Sequence, residues 1–223
     1  LLSRFAAIAL IVTLPAVAHA ASCSDTGGQY EARKAEMAAE AKAEGVGKRG
    51  IDALMATSYS KATIGADRNQ KSFKYSLEKF LNVRGADAIV SQGKGRKAKN
   101  ANFYASLEAK YGVPAGVLIA IHGMETGFGG FMGDTNVVSA IATLTYDCRR
   151  SAFFTNELMS ALKIVQKGWM SASSMRGAWA GEIGMVQMLP KDILERGVDG
   201  DGDGLILLKT SQADAILSGA RML

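Results

Sequence analysis

The chain has 223 residues, 48% of them hydrophobic, and a formal charge of +5. That is enough apolar material for one sizeable core, or for a main domain with a small annex. Three prolines and abundant Ala, Lys, Glu and Met leave little room for a sheet-rich architecture, and the positive balance suits an anionic partner such as nucleic acid, an acidic glycan or a lipid face without choosing among them.

Residues 1–20, LLSRFAAIALIVTLPAVAHA, have the pattern of a secretory signal peptide. Arg4 supplies the positive start, 5–12 the apolar stretch, and Ala18-His19-Ala20 the small-residue cleavage site. The apolar run is too short to span a membrane, and Pro15 interrupts it. The chain begins without Met, so its start is expected to be non-standard or truncated. Cys23 and Cys148 are the two cysteines. In an exported chain two cysteines pair more often than they stay free, so a Cys23–Cys148 disulfide and no free thiol are expected.

Residues 29–44, QYEARKAEMAAEAKAE, form a helix by propensity, stopped by Gly45. Two more helices are predicted over 48–58 and 71–83. In the second, Phe73, Leu77, Phe80 and Leu81 fall at i, i+4, i+7 and i+8, which predicts a stripe facing the core. SQGKGRKAKN, residues 91–100, reads as a basic, turn-rich, solvated loop. Nothing here has the aromatic interleaving or the groove-reading helix of a nucleic-acid binder, so no nucleic-acid partner is expected. Residues 102–110 are helical, and YGVP at 111–114 breaks that helix. Pro114 then suits the first turn of a helix over 115–125. Thr135 and Asn136 are placed to start another over 137–144, and 151–167 is amphipathic. GEIGMVQMLP, residues 181–190, is punctuated by glycine and ends at proline. With no hairpin signal and no internal repeat, the chain reads as mainly α.

The stretch IHGMETGFGG, 121–130, sets a carboxylate at a helix end before three glycines. Leu118, Ile121 and His122 lie seven, four and three residues before Glu125, which puts it on a mostly apolar face. Desolvation and the negative end of the helix dipole both disfavour an anion there, as a general acid requires. Gly127, Gly129 and Gly130 would turn the backbone away and leave room for a bulky substrate. His122 is expected to be packed and hydrogen-bonded rather than a base. The chain has no nucleophile elbow, HExxH, Walker loop or CxxC. Further on, Asp199, Asp201 and Asp203 occupy positions 1, 3 and 5 of an EF-hand pattern. Gly204 stands at 6, the Leu205 carbonyl at 7 and Ile206 at 8. A structural Ca²⁺ site is expected there.

The run YGVPAGVLIAIHGMETGFGGFMGDTNVVSAIATLTYDCRRSAFF from Tyr111 resembles the B-type lytic murein transglycosylases, as do RGAWAGEIGMVQMLP and the Asp-rich loop after it. The resemblance is specific over about 111–218 and diffuse over 28–110. It implies a mainly α, lysozyme-like fold with an EF-hand-like Asp-rich loop, built as an N-terminal helical part over 21–110 and a transglycosylase domain over 111–223. In that family the helix that here reaches Leu223 leads into a segment with a cleft-lining tyrosine, so the domain is expected to be truncated. Glu125 becomes the single catalytic acid/base. Arg149 and Arg150 map near the glycan, and Gly184, Gln187 and Pro190 map onto a G-x-x-Q-x-x-P element with Gln187 as a sugar-contacting amide. Met185 and Phe128 join them as substrate contacts. Asp214 would close the cation loop, 198–214. The chain departs from the pattern at Ala178, where a serine is usual, and at Glu182, where a small residue is common.

The implied activity is non-hydrolytic cleavage of the MurNAc–GlcNAc β-1,4 bond of peptidoglycan glycan strands, leaving 1,6-anhydroMurNAc ends, by an exported periplasmic monomer without a catalytic cofactor. Hydrolytic glycosidases usually need two carboxylates; a reaction without an attacking water can use one. Two other readings stay open: a non-catalytic peptidoglycan-binding relative, and a hydrolase of the same fold with Glu182 as second carboxylate.

Overall fold

The computed structural model describes residues 23–70 and 74–223. The expected signal peptide and Phe73 lie outside the described residues. Three helices come first: α1 (Tyr30–Ala43), α2 (Lys48–Met55) and α3 (Lys61–Arg68). Then follow α4 (Leu77–Arg84), α5 (Ala86–Lys99), α6 (Ala101–Tyr111) and α7 (Ala115–Thr126). The rest is β1 (Thr135–Asn136), α8 (Val137–Tyr146), α9 (Ser151–Lys167), β2 (Arg176–Gly177), α10 (Pro190–Arg196) and α11 (Gln212–Met222). No helix among the described residues is long and apolar enough to cross a membrane.

Helix α8 forms the centre. All its residues but Ser139 are buried, because VVSAIATLTY is apolar or small around its whole circumference. Helices α1, α2, α3 and α9 pack around it, and a single cluster of buried side chains runs from Tyr30 to Ala220. Of the two residues expected to start α8, Asn136 caps it, its side-chain oxygen accepting from the Ser139 N–H at 2.9 Å. Just before it, β1 and β2 pair antiparallel, with Thr135 opposite Gly177 and Asn136 opposite Arg176. This short ladder fixes the segment leading to 181–190 beside the start of α8. Cys23 and Cys148 are bonded as expected, their Cα atoms 4.8 Å apart, and the Ser24 N–H donates to the Tyr146 carbonyl at 2.9 Å.

Two expectations are corrected, and one helix was not expected. Residues 91–99 are helical, as most of α5, and not a loop. Gly93 lets α5 close on α7: a Cβ there would lie 2.8 Å from Ile119 Cγ2. Arg96, Lys97 and Lys99 fall in the last turn, where the helix dipole favours cations. Second, the stripe on α4 is not core. Leu77 and Val83 are 73% and 64% exposed, and Phe80 lies under the Arg84 guanidinium. Helical spacing aligns side chains on one face, but only a neighbour can cover that face, and the main neighbour of α4 is α5 alone. Third, α3 went unpredicted, although Ser60 caps it by accepting from the Thr63 N–H at 3.1 Å.

Candidate active site

Helix α7 ends at Glu125-Thr126, and Gly127 takes a left-handed φ of 56°. The Gly127 N–H donates to the Gly123 carbonyl at 2.9 Å and the Phe128 N–H to the His122 carbonyl at 3.1 Å, which closes the helix. Phe128 itself has φ 61°, a conformation rare for a bulky residue. This turn throws its ring back onto His122, centroids 5.3 Å apart, beneath the Arg96 guanidinium at 4.3 Å. Phe128 is therefore packed between α5 and α7 and remains partly exposed.

The buried Thr126 hydroxyl joins two parts of the site. It donates to the Met185 carbonyl at 2.7 Å and accepts from the Gly129 N–H at 2.9 Å. The loop 181–190 is thereby fixed to the end of α7. Within that loop Ile183 and Met188 exchange two backbone hydrogen bonds, at 2.8 and 3.1 Å. Gly184 has φ 77° and lies so close to Leu208 that a Cβ would come within 2.4 Å of it. Met185 is half-buried against Gly129. Gln187 has φ 51° and its amide nitrogen donates to the Gly184 carbonyl at 2.9 Å, so that donor is engaged inside the loop.

Glu125 is exposed, and the burial expected for it is not found. Leu118 and His122 behind it are buried, but the glycines that follow bring no side chain to cover it. The half-buried carboxyl of this region is Glu182. Its Oε2 is sealed from solvent and has no hydrogen-bond partner among the described residues. Burial pushes the Glu182 pKa up and the Glu125 charge adds a smaller push, while backbone hydrogen bonds at Glu182 and Ala180 and the Arg150 charge act in the other direction. Glu182 lines a cavity of about 150 Å³ with Gln70, Arg150, Phe153, Trp179 and Leu189.

Arg149 and Arg150 meet at Asp67, on the last turn of α3, whose side chain is 1% exposed. Arg149 Nε donates to it at 2.7 Å, Arg150 at 3.0 Å and Arg68 at 2.6 Å. Asp147, also buried, accepts from Arg68 at 2.6 Å and from the Arg149 N–H at 3.0 Å. Burial would raise the Asp67 pKa, but the hydrogen bonds and charges of Arg149 and Arg150 prevail and hold it below the usual carboxylate range. The sequence reading missed Asp67, Arg68 and Asp147. Asp67 and Arg149 are 82 positions apart, and no local spacing announces such a pair.

The expected cation ligands separate into two groups. The carboxylates of Asp199, Asp201 and Asp203 lie within 4.8 Å of one another and are exposed. Asp214 is not among them. It is fully buried, and its oxygens accept from the Gly200 N–H at 2.8 Å and the Leu207 N–H at 2.7 Å. In this structure it joins the two ends of the loop. The Leu205 N–H donates to Asp203 at 2.8 Å.

A family model described as the transglycosylase SLT domain matches residues 29–223. The chain belongs to that family. Membrane-bound lytic murein transglycosylase B of Escherichia coli K12 is 35% identical to this SLT chain over 99 residues, 44% of the chain and 27% of that protein. The crystal structure of SltB3 from Pseudomonas aeruginosa with NAG-NAM-pentapeptide superposes with a TM-score of 0.80 at 36% identity, covering 87% of this chain and 52% of that one. The Escherichia coli lytic transglycosylase Slt35, solved with calcium, has the same fold, with a TM-score of 0.72 at 24% identity over 90% of this chain and 64% of that one. The SLT chain thus spans about half the length of SltB3. The mainly α, lysozyme-like architecture expected from sequence is the one found.

Proposed function

We propose that this SLT chain cleaves peptidoglycan glycan strands without hydrolysis, with Glu125 as acid and then base. The observation that carries the reading is the end of α7: an exposed carboxylate on a helix terminus, fixed through Thr126 to the loop bearing Met185 and Gln187. Glu125 would protonate the oxygen bridging N-acetylmuramic acid and N-acetylglucosamine. The substrate's 2-acetamido oxygen would shield the developing cation. The resulting Glu125 carboxylate would then take the proton of the muramoyl C6 hydroxyl as that oxygen closes the 1,6-anhydro ring. No water is consumed, so one carboxylate completes the cycle. SltB3 has been solved with both NAG-NAM-pentapeptide and NAG-anhNAM-pentapeptide, the chemical types of substrate and product in this scheme.

The same reading makes the chain an exported, periplasmic monomer, with 21–110 as its N-terminal helical part and 111–223 as the transglycosylase domain. The disulfide supports an oxidising compartment. The exposed parts of Arg149 and Arg150, 42% and 39% of their side chains, would face the glycan. Grouped hard oxygen donors at Asp199, Asp201 and Asp203 fit a structural Ca²⁺, and Slt35, which shares the fold, was solved with that ion.

Glu125→Gln is expected to lower release of anhydro-muropeptides from sacculi at least about 100-fold while the circular dichroism spectrum is unchanged. Mass spectrometry of the digest is the measurement. Undiminished anhydro ends in the variant would overturn the role of Glu125. Reducing ends from the unaltered protein would point to a hydrolase, and an uncut sacculus to a binding protein.

A further inference from the structure

The residue with no place in the scheme above is Glu182. Its carboxyl and the Arg150 guanidinium belong to the lining of one cavity of about 150 Å³, together with the aromatic side chains of Phe153 and Trp179. We propose that this cavity binds the zwitterionic end of an amino acid on the peptide stem of the glycan, its ammonium against Glu182 and its carboxylate against Arg150. The inference rests on the reading of peptidoglycan as substrate and names the part of it that the cavity takes.

Glu182 is half-buried in the cavity lining, and its Oε2 bonds to nothing among the described residues, so no protein donor competes for that oxygen. A carboxylate set into a wall without a full counter-charge is costly, and a ligand that brings a cation lowers that cost. Phe153, 45% exposed, and the half-buried Trp179 add aromatic rings, whose faces attract an ammonium further. A bare cation would nonetheless meet Arg150 on the same lining. Arg150 is held in place, since it donates to the buried Asp67 at 3.0 Å and lies over Phe154 at 4.8 Å. That bond engages one end of the guanidinium, 39% of the side chain stays exposed, and the remaining N–H donors suit a carboxylate. Arg150 repels a simple cation and Glu182 a simple anion, whereas a ligand with both charges on one carbon matches the pair. Free ends of this kind occur on peptide stems that contain a diamino acid, and SltB3, which shares the fold, was solved with NAG-NAM-pentapeptide.

The test measures binding without turnover, by calorimetry on the Glu125→Gln protein. The probe is a disaccharide tetrapeptide whose stem holds diaminopimelate with a free amino-acid end. It is compared with the same muropeptide acetylated at that amine, and with one amidated at that carboxyl. Each modification should raise Kd at least about tenfold, as the loss of one charge-assisted hydrogen bond does. Adding Glu182→Gln should remove the difference made by acetylation and leave the one made by amidation. Equal Kd values for the free muropeptide and either modified one would overturn the proposal, and so would an acetylation effect that survives Glu182→Gln. Failure to bind any of the three would overturn it as well. The comparison of ligands stands even if the second substitution is not tolerated by the fold. Should the unaltered protein release anhydro ends from sacculi while the three Kd values agree, only this inference falls. Should it release none, the cleavage reading fails by itself, and the Kd values still decide whether the cavity takes the zwitterion.

Discussion

His122 is buried against Phe128, and neither ring nitrogen has a hydrogen-bond partner among the described residues. Its packing was expected from the sequence; its lack of hydrogen bonds was not. Burial lowers its pKa from 6.5 to about 4. The unfolded chain therefore binds a proton between those two values while the folded chain does not. Stability is full above the unfolded value and is lost as pH falls toward the folded one, by roughly 3 kcal/mol in total. A fall in the thermal midpoint is expected between pH 6.5 and about 4, and His122→Leu should flatten it. An equally steep acid limb in that variant would assign the loss to other groups. At the same scale, Glu125 was recognisable from its motif, yet its surroundings were not. Spacing along one helix reports which face a side chain shares, whereas cover depends on what the turn after the helix brings over it.

Helices α5 and α7 illustrate the limits of local rules for elements. Gly93 and Gly95 read as loop residues, but α5 runs through both. Gly93 is needed for close approach to Ile119, while nothing lies within 4 Å of a Cβ at Gly95. Gly95→Ala should therefore raise stability by about 0.5–1 kcal/mol, through the unfolded chain's smaller freedom. Gly184→Ala should lower it by at least about 2 kcal/mol, because φ is 77° and Leu208 backbone occupies the space. Denaturant unfolding of the two variants checks both signs. The Asp-rich loop makes its own prediction at this scale. Ca²⁺ at about 100 times its dissociation constant should stabilise the fold by about 2.7 kcal/mol, and Asp203→Ala should abolish the gain. A thermal midpoint that is the same in calcium and in chelator would remove the ion from the account.

Across the whole molecule, two of the ties that hold the first helices to the rest span a long stretch of sequence. One is the disulfide, spanning a sequence separation of 125. On the chain-entropy model a loop of that length is worth about 4–5 kcal/mol, so Cys148→Ser should lower unfolding stability by about 2–5 kcal/mol. A thiol assay on the denatured, unreduced protein should find no free thiol. The other tie is Asp67, which draws Arg68, Arg149 and Arg150 together from α3 and the turn before α9. Because α3 was not predicted, the partner that orients the arginine pair could not be named in advance.

The amino-acid sequence by itself determined most helices, the cap at Asn136, the pairing of the two cysteines and the identity of the residues at the end of α7. These follow from propensity, periodicity and chemistry carried by neighbouring positions. Only the tertiary structure decided that Glu182 and not Glu125 is the shielded carboxyl, that Asp67 gathers the arginines, that Asp214 clamps its loop, and that α4 lies uncovered. Each of those depends on which distant segment excludes water or supplies a counter-charge, and burial and Coulomb energy are set by distances in space that no spacing along the chain encodes.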